Sequence, residues 1–460
     1  MPEESITASE STRSYHIWTM GCQMNEADSR RVASELEHLG YQPSDAPEES
    51  DLVILNTCVV KQQAEDRIYG RLGSLKTAKE RRPDMTLALM GCFVGVKEAP
   101  RLQKTFPFVD VFMPPSDSGP LLDYLQQTKL YDGALEAEAQ DRNLRDLVQD
   151  ADLLLPIEQR KANAISAHVP IVLGCSHACS FCIIPYRRGR ERSRERQDVL
   201  QEVRLLVDQG VKEITLLGQI VDRYGLELDA PTTLARLLRD VHEIEGLERI
   251  RFLTSHPNWM TDELLDAVAE LPRAMPHLEV PIQAGNDEVL EGMRRGYTVD
   301  DFRRLTDRIR SRIPDAAINT DIIVGFPGET DAQFEDTCNV CQEIGFDKIH
   351  LSKYSERPKT VAARFHPDTV SEKDKTRRWH QLDGIQRELL AVKQQQTVGE
   401  TVEVLIDRHA KGRPGGRTPH NKLVYIDAEP HESLLGQTRA VTIHHATPYS
   451  MIGSLAGAHA

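Results

Sequence analysis

His168-Val-Pro-Ile-Val-Leu-Gly-Cys175-Ser-His-Ala-Cys179-Ser-Phe-Cys182-Ile-Ile-Pro185 is the stretch on which the reading of this chain turns. Its first six residues form an apolar run that predicts a buried strand. The cysteines then fall on the loop at that strand's C-terminal end, where α/β folds present their chemistry. Outward from this point the pattern alternates. Strand-like runs recur at 168–173, 213–217, 249–253, 278–282, 318–324 and 348–354. Amphipathic helices separate them, marked by Val199, Val203, Leu206 and Val207, by Leu234, Leu237, Leu238 and Val241, and by Phe302, Leu305 and Ile309. Six βα units are too few for a closed eight-stranded barrel and predict an open, partial one.

Three thiolates can hold three irons of a four-iron cluster, and the fourth iron is then left without a protein ligand. Clusters used only for electron transfer normally have four cysteines. The triad therefore points to an open iron that binds another molecule, with S-adenosylmethionine the expected one. A zinc knuckle or a disulfide pair remains the alternative; zinc would need His177 as a fourth ligand from inside the loop. Polar residues mark other strand ends: Gln219, Ser255 with His256, and Gln283, with Asp321 earlier in its strand. They would ring one mouth of the barrel or satisfy local backbone. Gly325-Phe-Pro-Gly-Glu-Thr330 follows the fifth strand and would let backbone approach a ligand closely.

A second set of cysteines precedes the triad. Cys22, Cys58 and Cys92 each follow a strand-like run, and they are 36 and 34 residues apart. Helical patterns come between them, with Val32, Leu36 and Leu39, then Ala64, Ile68, Leu72 and Leu75. A fourth strand is expected at Val109–Met113. This βαβαβα order predicts a parallel sheet. Parallel strands share one C-terminal edge, so the three cysteines should converge there as a second cluster site, or else be three separate buried cysteines. Cys338 and Cys341 fall with Phe334 and Ile344 on one helical stripe and are expected to be packing residues.

After about 394 the character changes. Val402–Ile406, Lys422–Ile426 and Arg439–Ile443 alternate as short strands and predict a small β-barrel of a kind that often binds oligonucleotides. The stretch 130–160 is acidic and without period. Composition is that of a globular chain: 460 residues, 40% hydrophobic and 28% charged. No apolar run is long enough to span a bilayer, and Met1-Pro-Glu-Glu-Ser-Ile lacks the apolar stretch of a secretory signal. No membrane and a reducing cytoplasmic setting are the expectation. The net charge of −15 hides basic segments. Arg187–Arg196 carries six Arg against two Glu, and Arg408–Lys422 carries five Lys or Arg and no carboxylate. Local potential is what a docking polyanion feels.

Taken together, these features resemble the methylthiotransferase family of radical S-adenosylmethionine enzymes, over roughly 13–457. The motifs are the triad with Ile183–Arg194 behind it, Gly21-Cys-Gln-Met-Asn25, Asn56-Thr-Cys-Val-Val60, Ala64-Glu-Asp66 with Arg71-Leu-Gly73, and His256-Pro257. They are most similar to the branch acting on N6-dimethylallyladenosine in tRNA. Departures are Ile220 where the family has Asn, and Ala284 where it has Ser. The resemblance implies an N-terminal methylthiotransferase α/β domain at 13–129, a linker at 130–160, a radical SAM core at 161–393 and a TRAM-like β-barrel at 394–457.

The resemblance also implies the chemistry. Cys175, Cys179 and Cys182 would hold the [4Fe-4S] cluster that cleaves S-adenosylmethionine to a 5′-deoxyadenosyl radical, and Cys22, Cys58 and Cys92 a second [4Fe-4S] cluster on the sulfur-donor side. A second S-adenosylmethionine would methylate the sulfur. The product is a methylthio group at C2 of N6-dimethylallyladenosine 37, next to the anticodon. Gln219, Ser255 and Gln283 would contact the cofactor. The arginine run and the small barrel would grip the anticodon stem-loop. An electron donor and a sulfur source are further implied partners, and a monomer is the expected state. Sister enzymes that act on threonylcarbamoyladenosine in tRNA or on a ribosomal protein are one alternative. A non-catalytic iron–sulfur RNA-binding sensor is another.

Overall fold

The computed structural model describes residues 12–59, 62–131, 135, 139, 142–149, 155–410 and 412–457. Val60 and Lys411 lie outside the described residues, as does the side chain of Ala64. By its contacts the chain divides into two units. The first runs to Ala162 and includes Tyr186–Arg188; the second holds Asn163–Pro185 and everything from Gly189 onward.

The first unit is built on a five-stranded parallel sheet. Its strands are β1 (Ser14–Thr19), β2 (Gln42–Pro43), β3 (Leu52–Thr57), β4 (Thr86–Gly91) and β5 (Val111–Met113), in the order β2-β1-β3-β4-β5. Every residue of β3 and β4 is buried, as expected of parallel strands covered on both faces. Helix Gln23–His38 lays Val32 and Leu36 on the sheet, and Leu39 just beyond it joins the same core with Ile54, Met90 and Met113. Helix Gln62–Arg81 buries Ile68, Leu72 and Leu75. Short β2, absent from the sequence reading, is two residues long and contains Pro43, which leaves little strand signal. The described part of 130–160 carries two short helices, and Leu144, Leu147 and Val148 of the first join the core of this unit.

The second unit begins with six parallel strands: β6 (Ser166–Pro170), β9 (Glu213–Leu217), β10 (Arg249–Leu253), β11 (His277–Glu279), β12 (Ala317–Val324) and β13 (Lys348–Lys353). They form two three-stranded sheets, β10-β9-β6 and β11-β12-β13. Backbone bonds join the sheets, from Ile250 N to Arg273 O, Met275 N to Ile250 O and Ser255 N to Glu279 O. The result is a partial six-stranded barrel. Beyond β6, the short strands β7 (Val172–Leu173) and β8 (Arg192–Ser193) pair antiparallel and bracket the triad loop.

The C-terminal part is a closed five-stranded barrel of β14 (Thr401–Ala410), β15 (Arg413–Arg417), β16 (Leu423–Ile426), β17 (Thr438–Ala446) and β18 (Met451–Leu455), ordered β14-β15-β16-β18-β17. Val404, Ile406, Val424, Ile426, Val441, Ile443 and Met451 fill it. The sequence reading put no strand inside the basic segment 408–422. Instead, Arg413-Pro-Gly-Gly-Arg417 is a strand with poor strand propensity. Gly416 explains it: a Cβ there would lie 2.0 Å from the Leu405 carbonyl oxygen, so only glycine permits this approach of two backbones. The described cations of the stretch have protein partners. Arg408 pairs with Asp407, Arg413 with Asp427 and Lys422 with Asp347, and Arg417 donates to Asn421 O.

Residues 417–422 close the partial barrel at the N-terminal ends of its strands, opposite the triad. Arg249 donates to Arg417 O (2.6 Å) and Glu403 (2.8 Å). Arg251 donates from Nε to Glu213 (2.9 Å), from Nη1 to Pro419 O (2.7 Å) and from Nη2 to Thr418 O (2.8 Å). His420 pairs with Asp315, which precedes β12. Arg251 and Glu213 are both buried, so removing one partner leaves an uncompensated charge. Arg251→Ala is therefore expected to cost about 3–5 kcal/mol of stability, read as a fall in denaturant midpoint. A loss within the scatter of surface substitutions would mean that these bonds do not hold the barrel end closed.

Candidate active site

In the first unit β1, β3 and β4 are adjacent and parallel. Cys58 directly follows β3, Cys92 directly follows β4, and Cys22, three residues after β1, caps helix Gln23–His38. The three cysteines therefore lie along one sheet edge, and Cys58 and Cys22 are close enough to Cys92 to oppose its ionisation. A polar web fixes the loops that carry them. Asn25 Nδ2 donates to Asn56 Oδ1 (2.8 Å) and Thr57 O (3.2 Å). Asn56 Nδ2 donates to Asn25 O (2.8 Å) and Ser29 Oγ (2.9 Å), and Thr57 Oγ1 to Met90 O (2.6 Å). The asparagines of the two motifs thus brace the cysteines' supports.

In the second unit the triad loop is pinned at several points. Cys175 N donates to Gly189 O and Cys182 N to Cys179 O. Ser180 Oγ donates to Gly292 O (2.6 Å). Gly174 has φ +72°, and a Cβ there would lie 2.2 Å from Arg190 O, so the sharp turn into the triad requires glycine. Arg295 Nη1 donates to Cys179 Sγ (3.1 Å), while its Nε and Nη2 are held by Tyr297 and Pro281 O. His177, which a zinc knuckle would recruit, packs 4.6 Å from the His256 ring and 5.4 Å from Trp259. Burial, then Arg295, lowers His177 to about 4 and His256 to about 2, so both are neutral near pH 7.

Gln219, Ser255 and Gln283 follow β9, β10 and β11, at the same end of the barrel as the triad. Ser255 Oγ and Gln283 Oε1 are buried without a hydrogen-bond partner in the chain. Orphaned buried polar atoms are costly and are normally satisfied by a ligand or water, so the mouth fits a polar cofactor. All eight cysteines are unbridged. Among the described residues no three His, Cys, Asp or Glu side chains are arranged to hold a metal ion. What each trio offers is a set of cysteine sulfurs, the donor type of iron–sulfur clusters. Burial pushes the Cys92 and Cys175 thiols up to about 11 and Cys182 up to about 12. Metal loading would then release protons.

Two family models match: the radical SAM superfamily over residues 169–341, and uncharacterized protein family UPF0004 over residues 14–114. A tRNA-2-methylthio-N(6)-dimethylallyladenosine synthase of Roseiflexus sp. (strain RS-1) is 44% identical, covering 99% of this chain and 93% of its own length. The protein of the same name from Chloroflexus aurantiacus is 43% identical, covering 96% and 91%. The chain belongs to the tRNA-2-methylthio-N(6)-dimethylallyladenosine synthase family. A solved structure similar in fold is the radical S-adenosylmethionine methyltransferase TsrM from Kitasatospora setae, with cobalamin and a [4Fe-4S] cluster bound. It has a TM-score of 0.56 at 17% identity and covers 77% of each chain.

Within this synthase-family chain the departures Ile220 and Ala284 are both buried; nothing in the structure explains the exchange from polar residues. The arginine run divides. Arg190 and Arg192 are exposed, Arg194 pairs with Glu202 and Arg196 with Asp240, and Arg188 is buried. The run is thus not a continuous basic face. Sequence reading missed Arg295, which touches Cys179 from a distant segment with no motif of its own, and the burial of Arg188 within the charged run. Cys338 and Cys341 are buried in helix Asp331–Ile344, as expected of packing residues.

Asp222 was also missed. Burial holds its carboxyl up at about 7 although the His256 N–H donates to it. The folded protein therefore keeps this proton to higher pH than the unfolded chain, whose carboxyl titrates near 3.8. The penalty is absent below pH ~4, grows towards pH ~7 and is then constant. Asp222→Asn is expected to raise the stability of the apoprotein at pH 8 by roughly 1–3 kcal/mol and to leave it unchanged near pH 4. Unfolding midpoints at the two pH values check this; an equal shift at both would refute it.

Proposed function

We infer that this protein is a radical S-adenosylmethionine tRNA methylthiotransferase. It places a methylthio group on C2 of N6-dimethylallyladenosine 37 in tRNA, using two [4Fe-4S] clusters and S-adenosylmethionine. The observation that carries the reading is the pairing of near-full-length family similarity with two cysteine trios, each on the C-terminal edge of a parallel sheet. In the assignment we favour, Cys175, Cys179 and Cys182 hold the cluster that meets S-adenosylmethionine, and Cys22, Cys58 and Cys92 hold the other.

C2–H of adenine is neither acidic nor open to simple attack, so the cofactors supply one-electron cleavage of the sulfonium, hydrogen abstraction and methyl transfer. The chain supplies position. Arg295 donates to Cys179 and fixes its sulfur. Ser255 and Gln283 keep buried polar atoms unmet within the chain, free to bond a polar cofactor. His177 and His256, neutral at working pH, wall the loop with Trp259, over which the Arg223 guanidinium stacks at 4.4 Å. The target base must leave its stack to reach such a site. Arg190 and Arg192 remain available to meet RNA phosphate.

An electron donor and a sulfur source complete the scheme, and we place the enzyme in the cytoplasm as a monomer. No helix among the described residues is long and apolar enough to cross a membrane. Nucleoside mass spectrometry on tRNA from a strain lacking the gene tests the substrate. The methylthio mark should vanish while N6-dimethylallyladenosine accumulates. Loss of a mark on threonylcarbamoyladenosine instead would assign the sister activity.

A further inference from the structure

Arg188 is the buried end of Tyr186–Arg188, the part of the arginine run that belongs to the first unit. Its side chain is 2% exposed. Nη1 and Nη2 each lie 3.4 Å from Asp28 Oδ2, Nη2 lies 3.4 Å from Asn25 Oδ1, and Nη1 lies 3.3 Å from Ser116 Oγ. The Cys92 and Cys22 thiols lie near enough to act on its charge, and Cys22 Sγ donates to Asn25 Oδ1 (3.4 Å), the oxygen that Nη2 also approaches. Its Nε–H is buried with no hydrogen-bond partner in the chain.

A guanidinium stays charged and offers five N–H donors. Burying one against a single carboxylate, itself buried and at long separation, is costly unless further negative charge shares the site. Asp28 is that carboxylate, and Ser116 Oγ donates to its other oxygen. Neutral thiols add no negative charge, whereas thiolates gripping a metal–sulfur cage do. The leftover Nε–H and the Asn25 oxygen shared with Cys22 together describe a cationic donor built into a sulfur-rich site.

We propose that Arg188 is a positioning residue of the first unit's cysteine site: its guanidinium hydrogen-bonds the sulfur of Cys92 when that cysteine ligates an iron–sulfur cluster, and raises the cluster's reduction potential. The inference rests on the reading that Cys22, Cys58 and Cys92 hold a cluster. Hydrogen bonds to sulfur and nearby positive charge stabilise the electron added on reduction, and both are recognised determinants of cluster potential. Arg188 is also tied to the loop architecture of the site through Asn25, so its position is fixed by the residues that brace Cys22 and Cys58.

The test uses the full chain with Cys175, Cys179 and Cys182 all replaced by alanine, so that one cluster reports. After anaerobic reconstitution with iron and sulfide, iron content and the midpoint potential from an electron-paramagnetic-resonance-monitored titration are measured. Arg188→Gln and Arg188→Lys are then compared in that background. Iron content should be kept, the potential should shift lower in Arg188→Gln, and Arg188→Lys, which keeps the charge, should recover part of the shift. An unchanged potential at full iron content would overturn the proposal. So would loss of iron from both variants, because Arg188 would then be a structural support. Absence of iron in the background itself would instead defeat the cluster reading on which the proposal stands.

Discussion

Alanine at Cys179 is expected to reduce 5′-deoxyadenosine formation to background and to abolish methylthiolation with it. Cys179 is only half-buried, and its sulfur meets Arg295, which retains Tyr297 and Pro281 O as partners when the thiol is gone. The triad loop keeps its own anchors at Ser180 and Cys175 N. The variant should therefore fold, while a cluster left with two of its three cysteines cannot present its open iron in place. The measurement is chromatographic detection of 5′-deoxyadenosine after anaerobic incubation with S-adenosylmethionine and a reductant. Cofactor cleavage at the parental rate would show that this triad is not the cleaving site.

Cys58→Ala should give a different defect. Cofactor cleavage should persist, while the methylthio product is lost and unmodified N6-dimethylallyladenosine remains. Cys58 sits in the first unit, directly after fully buried β3, and its replacement by a smaller apolar side chain spares the Asn25–Asn56 web beside it. Mass spectrometry of the tRNA nucleosides, run beside the 5′-deoxyadenosine assay, separates the two functions. Survival of methylthiolation would remove Cys58 from the sulfur-donor role.

The parts of this molecule legible in the sequence are those where local pattern and tertiary demand agree. The continuous apolar runs of β3 and β4 announce strands covered on both faces, and a cysteine directly behind each states the site's edge. The six βα units around the triad are equally periodic. The barrel strand Arg413–Arg417 escaped because Gly, Pro and Arg are poor strand formers, and it exists only because Gly416 lets it lie against Leu405. Charge misled in the same way. Six arginines in ten residues read as one surface, yet Arg188 turns inward to Asp28, 160 positions away. Arg295 reaches Cys179 across 116 residues. Contacts of that span leave no trace in a local window, so sequence motifs reveal the cysteines and miss the residues that brace them.

The two-trio assignment is tested most directly by iron and acid-labile sulfide analysis of anaerobically reconstituted protein. Two four-iron cages predict about eight irons and eight sulfides per chain, falling to about four of each when either Cys22, Cys58 and Cys92 or Cys175, Cys179 and Cys182 are replaced together. Zinc in place of iron, or an iron content unmoved by removing the first trio, would contradict it.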